Sequence, residues 1–235
     1  MELTLKQQNL LAKMQQQPEF SALSPSELTQ IAEQTRLKNY QRGELLFDQG
    51  TPRNWFYFVV SGLVRLFHRN VDGLERFYAF RHRNGVLPLV GMLTNNDYAY
   101  VAEASTMVEV AAIPMSCYEQ IVRANPAGLA NLVRAMGEVI DLTENELQLM
   151  VTNNAKERLR QAIWFVAKQI GELDKKNQQV IINYPIAITE WAQISATSRE
   201  TTSQVLQELK RQGQITYEQK CLTILNVDID DWLSS

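Results

Sequence analysis

A chain of 235 residues exceeds the usual size of one domain yet is accounted for by two, and 45% apolar residues with only ten Gly and seven Pro exclude a disordered or fibrous polymer. No run approaches the roughly 18 apolar residues needed to cross a bilayer, so a cytoplasmic protein without a signal peptide is expected. A net charge of −3 weighs against nucleic acid only globally: from Ala155 onward ten basic residues face ten acidic ones, the acids concentrated at Asp228, Asp230 and Asp231.

The first elements in chain order are helical. Apolar spacing predicts helices over Leu5–Met14 and Ser24–Thr35, the second opened by Ser24-Pro25 with Glu27 as a capping box. From Leu37 to Pro114 the pattern changes. Brief segments rich in Leu, Val, Phe and Tyr (ELLFDQG, NWFYFVVSGLVRLFHR, LERFYAFRH, YVAEA, VEVAAIP) are punctuated by glycines and by Asn95-Asn96-Asp97, which predicts an antiparallel barrel or jelly roll. A short helix over Ser116–Arg123 precedes Asn125-Pro126, a cap and first-turn pair that announces a long helix. Its residues Leu129, Leu132, Met136, Val139, Leu147 and Met150 step by three and four, and these form the expected self-pairing seam of a homodimer; packing on the chain's own β-domain is the alternative. Val151–Asn154 reads as a hinge. A helix through Leu159, Ile163 and Val166 follows, ending at Gly171; DKKNQQ is a loop, and Val180–Tyr184 a strand.

The segment AITEWAQISATSRETTSQVLQELK contains two helical stretches meeting at Ser195-Ala196-Thr197, the layout of a helix-turn-helix. Ala192 provides the small residue needed where the helices approach, and Trp191, Ile194, Val205 and Leu209 point inward. Ser198 is suited to cap the second helix, from whose N-terminus Arg199 and Glu200 project. Arg pairs bidentately with guanine and Glu accepts from the cytosine amino group, so these positions suit major-groove recognition. Beyond Gln212-Gly213 the sequence QITYEQKCLTILN predicts a hairpin turning at Glu218, Gln219 and Lys220, the wing. The candidate DNA-contacting set is Thr197, Ser198, Arg199, Glu200, Thr201, Ser203, Gln204, Lys210 and Lys220.

With RGELLFDQG, FYFVVSGLVRLF, VEVAAIP, NPAGLANLVRAMGEVI and TSRETTSQVLQELKRQGQIT in this order and spacing, the chain resembles the catabolite activator (CRP/FNR) superfamily of bacterial transcription regulators from about Leu37 to Leu225. FRHRNGVLPLVGML is also similar to the branch that regulates arginine catabolism. The resemblance implies an α+β protein: N-terminal helices (1–36), a sensory cyclic-nucleotide-binding-type β-roll or jelly roll (37–124), a dimerisation helix (125–152) and a winged helix-turn-helix (153–235). It further implies a homodimer that binds double-stranded DNA at an inverted repeat and works with RNA polymerase. Arg199 and Glu200 match the family's base-reading pair and imply a TGTGA-like half-site. Gln204 stands where a second contacting Arg is usual, Ala196 replaces the turn Gly, and Ala187 replaces the Thr cap, which leaves Thr189 as a possible later cap.

The cassette that holds cyclic AMP in the family is missing. Its ribose-binding Gly-Glu and phosphate-binding Arg-Ser positions correspond to Pro88-Leu89 and Tyr98-Ala99, so a bound cyclic phosphate would lack its cation. No cyclic-AMP response is expected. Tyr78, Arg81, Arg83, Leu89 and Tyr98, with Thr143 from the long helix, are the candidate pocket for another small effector. The two cysteines, Cys117 and Cys221, and the two histidines, His68 and His82, make neither a metal centre nor a cluster, so no cofactor is expected. No catalytic constellation is visible, and an enzyme is not expected. The rival reading is a β-roll module for protein or small-ligand binding whose helix-turn-helix does not touch DNA.

Overall fold

The computed structural model describes residues 5–149 and 154–234, and the chain divides into two compact units, Met1–Thr143 and Glu144–Ser235. In the first unit α1 (Leu5–Met14), α2 (Pro18–Ser21) and α3 (Pro25–Gln34) lead into the strands. Ser24 caps α3 as expected, its hydroxyl accepting from the Glu27 N–H while the Glu27 carboxylate accepts from the Ser24 N–H at 2.7 Å. Eight strands follow: β1 (Arg36–Tyr40), β2 (Leu45–Phe47), β3 (Trp55–Ser61), β4 (Val64–Arg69), β5 (Glu75–Arg81), β6 (Val86–Leu87), β7 (Val101–Ala104) and β8 (Val108–Pro114). They form two antiparallel sheets, ordered β1-β8-β3-β6 and β2-β7-β4-β5.

Strand periodicity explains the layering. Along β3, Tyr57 and Val59 point to the space between the sheets, while Phe56 and Phe58 point to the opposite face, where the helices pack. β8 does the same with Val110 and Ala112 against Ala111 and Ile113. The strand is therefore apolar on both faces and reads as a continuous hydrophobic run. The β3–β4 turn needs glycine for close approach: a Cβ on Gly62 would lie 2.3 Å from the Met107 carbonyl oxygen.

After α4 (Met115–Ala124) comes α5 (Pro126–Leu149), whose Asn125 cap accepts from the Gly128 N–H at 2.9 Å. The described residues of the expected dimer seam lie on the face of α5 that turns to the first unit's own core. Leu132 is fully buried in the first unit's own core, and Leu129, Met136 and Val139 pack against the same cluster. The outward face of α5 instead carries Val133 and Ile140, 60% and 58% exposed, with Gly137 between them in open space. The two stripes run side by side, and residue spacing alone does not say which is inward. Of the other proposed seam residues, the side chain of Leu147 and all of Met150 lie outside the described residues, as do hinge positions 151–153.

The second unit is built on α6 (Ala155–Ile170), capped by Asn154, whose side chain accepts from the Lys156 and Glu157 N–H groups. Gly171 is no left-handed cap: its φ is −81°, and glycine is required because a Cβ would lie 2.4 Å from the Ala167 oxygen and 2.6 Å from Val180. β9 (Glu172–Asp174) and β10 (Gln179–Ile182) pair across the polar loop; then come α7 (Ile188–Ile194), α8 (Arg199–Arg211), β11 (Ile215–Glu218), β12 (Cys221–Ile224) and α9 (Ile229–Ser234). The sheet order is β11-β12-β10-β9. β9 overlaps the expected loop only at Asp174, and α9 is preceded by Asp228, whose carboxylate accepts from the Asp230 N–H at 3.0 Å. Cys117 is buried, which pushes its thiol up, while Cys221 is half-buried in β12. Among the described residues no helix is long and apolar enough to cross a membrane.

Candidate nucleic-acid interface

α7 and α8 form the helix pair. α7 starts at Ile188, one residue after Ala187, whose N–H donates to the Glu190 carboxylate at 2.6 Å. This is the acid's half of a capping box; alanine has no hydroxyl to accept from the Glu190 N–H, which donates to Ala187 O at 3.0 Å instead, and Thr189 lies inside the helix rather than capping it. Trp191, Ala192 and Ile194 of α7 and Val205 and Leu209 of α8 are buried, as the helical spacing requires, and Leu206 is buried as well. The turn passes through Ala196 at φ 49°, a left-handed conformation that costs an alanine roughly 1 kcal/mol relative to glycine.

Ser198 caps α8 as expected, its hydroxyl accepting from the Thr201 N–H at 3.1 Å. Arg199, Glu200 and Gln204 are exposed, and Ser203 is half-exposed beside them. Glu200 keeps its charge: its own N–H and the Ser198 hydroxyl hold the carboxyl below the usual range. One full turn on, exposed Gln207 extends the same face as Glu200, Ser203 and Gln204. The helical period would have reached it had the reading face been carried past the first two turns.

Thr197 requires a correction. It was placed among the DNA contacts, yet its hydroxyl is engaged inward, 2.9 Å from Ser195 Oγ and 2.7 Å from Thr202 Oγ1. Arg158, which sequence reasoning passed over, reaches from α6 to the same turn and donates to the Ser195 and Ala196 carbonyl oxygens, both at 3.2 Å.

The wing is a tight hairpin in which Glu218 pairs with Cys221, leaving Gln219 and Lys220 as a two-residue turn with φ of 50° and 68°. Positive φ at both positions is the type I′ geometry that matches strand twist. The tip is strapped to the segment ahead of α7: the Ile186 N–H donates to Lys220 O at 2.9 Å, and the Tyr217 hydroxyl donates to Ile186 O at 2.6 Å. Burial pushes the Tyr217 phenol up to about 12, so that bond keeps its proton. Lys210 is exposed, but its ammonium donates to Tyr217 O at 3.3 Å, tying helix to wing; Lys220 stands exposed at the tip. On the same helix Glu208 is taken up by Lys156 at 2.5 Å, which removes one acid from the balance of α8.

In the first unit four of the residues proposed as an effector pocket, Tyr78, Arg81, Leu89 and Tyr98, gather around buried Tyr100, Leu89 through a backbone hydrogen bond and Tyr78 with its ring 5.2 Å away. Tyr98 is buried between the sheets and Leu89 in the separate helix-side cluster. Arg83 is exposed, Arg81 donates to the Phe80 carbonyl at 2.8 Å, and the Thr143 hydroxyl donates back to Val139 O at 2.8 Å. The space between the sheets is packed with rings: Phe47 stacks on Tyr98 and lies within 5.9 Å of Tyr57 and 5.7 Å of Tyr100. The segment that replaces the cassette is held from within. Arg53, 8% exposed, donates from Nε and Nη2 to Asn95 O at 3.0 and 2.6 Å, and Nη2 pairs with Glu119 at 2.8 Å. Glu119 in turn accepts from the Leu93 N–H at 3.0 Å.

Residues 37–125 match the cyclic nucleotide-binding domain and residues 157–228 the Crp-like helix-turn-helix domain. The chain is 27% identical over 203 residues to the cyclic AMP receptor protein of Thermus thermophilus, covering 86% of this chain and 89% of that one. It is 24% identical to a CRP-like cAMP-activated global transcriptional regulator of Mycobacterium tuberculosis, with 87% and 91% covered. In fold it is similar to FixK2 of Bradyrhizobium japonicum (TM-score 0.69, 19% identity, 85% of this chain and 96% of that one). It is likewise similar to the c-di-GMP responsive global regulator CLP of Xanthomonas campestris (TM-score 0.68, 16% identity, 86% and 99%).

Proposed function

Because the chain belongs to the CRP/FNR family of transcription regulators, we propose that it is a homodimeric, sequence-specific DNA-binding regulator of the cytoplasm that reads an inverted repeat without cyclic AMP. The observation that carries this reading is the exposed Arg199-Glu200 pair at the capped N-terminus of α8, in a helix-turn-helix flanked by a strapped wing. A bidentate Arg and an ionised Glu on one exposed turn suit a guanine and a neighbouring cytosine; the match of this pair to the family's base-reading residues implies TGTGA-like half-sites, about 34 Å apart on one face of the duplex. Two-fold pairing is assigned to the outward stripe of α5, Val133, Gly137 and Ile140, whose glycine lets two helices approach closely.

Independence from cyclic AMP rests on two features of the β-roll. Relatives named for cyclic AMP are similar over most of the chain, but here a stacked Phe47–Tyr98 pair occupies the interior where the phosphate cation would have to stand. The cassette segment already has its partners in Arg53 and Glu119. The test is selection of bound duplexes from a random pool with reduced, ligand-free protein. An inverted repeat whose affinity falls steeply with salt supports the proposal; no enrichment overturns it in favour of a module that does not bind DNA.

A further inference from the structure

Among the described residues, aromatic side chains and cysteine aside, four polar or charged side chains are buried, and two of them, Ser195 at 3% exposure and Thr202 at 0%, meet at one turn. Ser195 Oγ donates to the Trp191 carbonyl oxygen at 2.7 Å. A carbonyl only accepts and a hydroxyl has one proton, so Ser195 must accept from Thr197, 2.9 Å away, and Thr197 must accept from Thr202 at 2.7 Å. The direction of every bond in the chain Thr202→Thr197→Ser195→Trp191 is therefore dictated from its end. It runs from α8 through the turn into α7.

The Arg158 guanidinium closes the turn from its other side through the Ser195 and Ala196 carbonyls, holding in place the left-handed residue that alanine tolerates poorly. Apolar contacts permit sliding and rolling, whereas a chain of directional bonds does not. Arg199 and Glu200 lie inside the six-residue loop that the Thr197–Thr202 bond closes, two residues from either end.

We infer that Ser195, Thr197 and Thr202, backed by Arg158, are positioning residues that fix the pitch and register at which α8 presents Arg199 and Glu200, and so set sequence discrimination rather than affinity in general. The inference rests on the DNA-binding role proposed above. The experiment compares Thr202→Val, which keeps shape and removes the hydroxyl, with Thr202→Ser, which keeps the hydroxyl, and with Ser195→Ala at the other end of the chain. The readouts are the ratio of operator to random-duplex affinity, the salt dependence of binding, and hydrogen exchange of the Thr197 N–H, which donates to Ala192 O at 3.0 Å.

Thr202→Val and Ser195→Ala are expected to lower the affinity ratio about five- to tenfold, the loss of one buried hydrogen bond, with the salt dependence unchanged. Thr202→Ser is expected to stay within about twofold of wild type. A ratio preserved in both Thr202→Val and Ser195→Ala overturns the inference, and so does an equal loss in Thr202→Val and Thr202→Ser, which would assign the effect to the methyl group. Should the wild-type protein enrich no duplex, the DNA-binding proposal fails by itself. Exchange at Thr197 then still decides the hydroxyl chain: faster in Thr202→Val than in Thr202→Ser supports it, equal rates overturn it.

Discussion

Phe47 and Tyr98 lie face to face, their ring centroids 3.8 Å apart and their planes 7° from parallel, and the Tyr98 hydroxyl both donates to and accepts from the backbone of Trp55. The pair joins β2 to the segment that stands in place of a ligand cassette. Replacing Phe47 by Ala leaves a cavity between the sheets and is expected to cost about 3–5 kcal/mol in urea unfolding of the chain. Titration calorimetry with cyclic AMP should show no saturable binding to the wild-type protein.

Arg199→Ala should cost about 1–3 kcal/mol of operator binding and relax the preference at one guanine of each half-site. The measurement is repeated duplex selection with the variant. A selected motif identical to that of wild type would show that base reading resides elsewhere on α8.

Lys220→Ala tests the wing separately. An ammonium at the exposed tip suits a phosphate rather than a base, so the variant should weaken binding to all duplexes alike and reduce the slope of log affinity against log salt by about 1. Fluorescence anisotropy across a salt series separates this from the Arg199 effect.

Neighbouring substitutions on α5 should have opposite outcomes. Leu132→Ala removes a fully buried side chain and is expected to cost about 2–5 kcal/mol of stability with the dimer retained. Val133→Asp with Ile140→Asp places charge on the outward stripe and should yield a folded monomer in sedimentation analysis.

Glu19 supplies a pH dependence. Burial raises its carboxyl pKa, and nearby Glu138 adds to the rise, while its own backbone N–H and Arg81 oppose it. The folded chain thus binds this proton more tightly than the unfolded one. The resulting stability is fully present below the unfolded carboxyl pKa and is lost as pH rises through the folded value. Glu19→Gln should abolish that loss, so the difference in urea midpoint between variant and wild type should grow from pH 4.5 to pH 8.

Much of this architecture is legible in residue order. Glycine punctuation between short apolar runs marked the sheets, and Asn125-Pro126 and Ser198 marked the starts of α5 and α8 because capping is a local interaction. β9 was missed because a three-residue strand among charged and amide residues is specified by its partner β10 rather than by its own pattern. On α5 periodicity identifies stripes, and only the packed core shows that Leu132 faces inward and Val133 outward. At the site, chemistry was legible and direction was not. Thr197 has the hydroxyl of a phosphate contact, but Thr202, five residues on, turns it into an internal bond.

The two stripes of α5 also restrict how any signal travels along it. Rolling the helix by the 100° that separates adjacent residues would bring Leu132 out into solvent and drive Val133 toward the core. Extracting one such leucine costs about 1.5–3 kcal/mol, and Ala135 would follow it. The helix therefore behaves as a keyed shaft: it can tilt or bend at its far end, but over Leu129–Val139 it is barred from turning about its own axis.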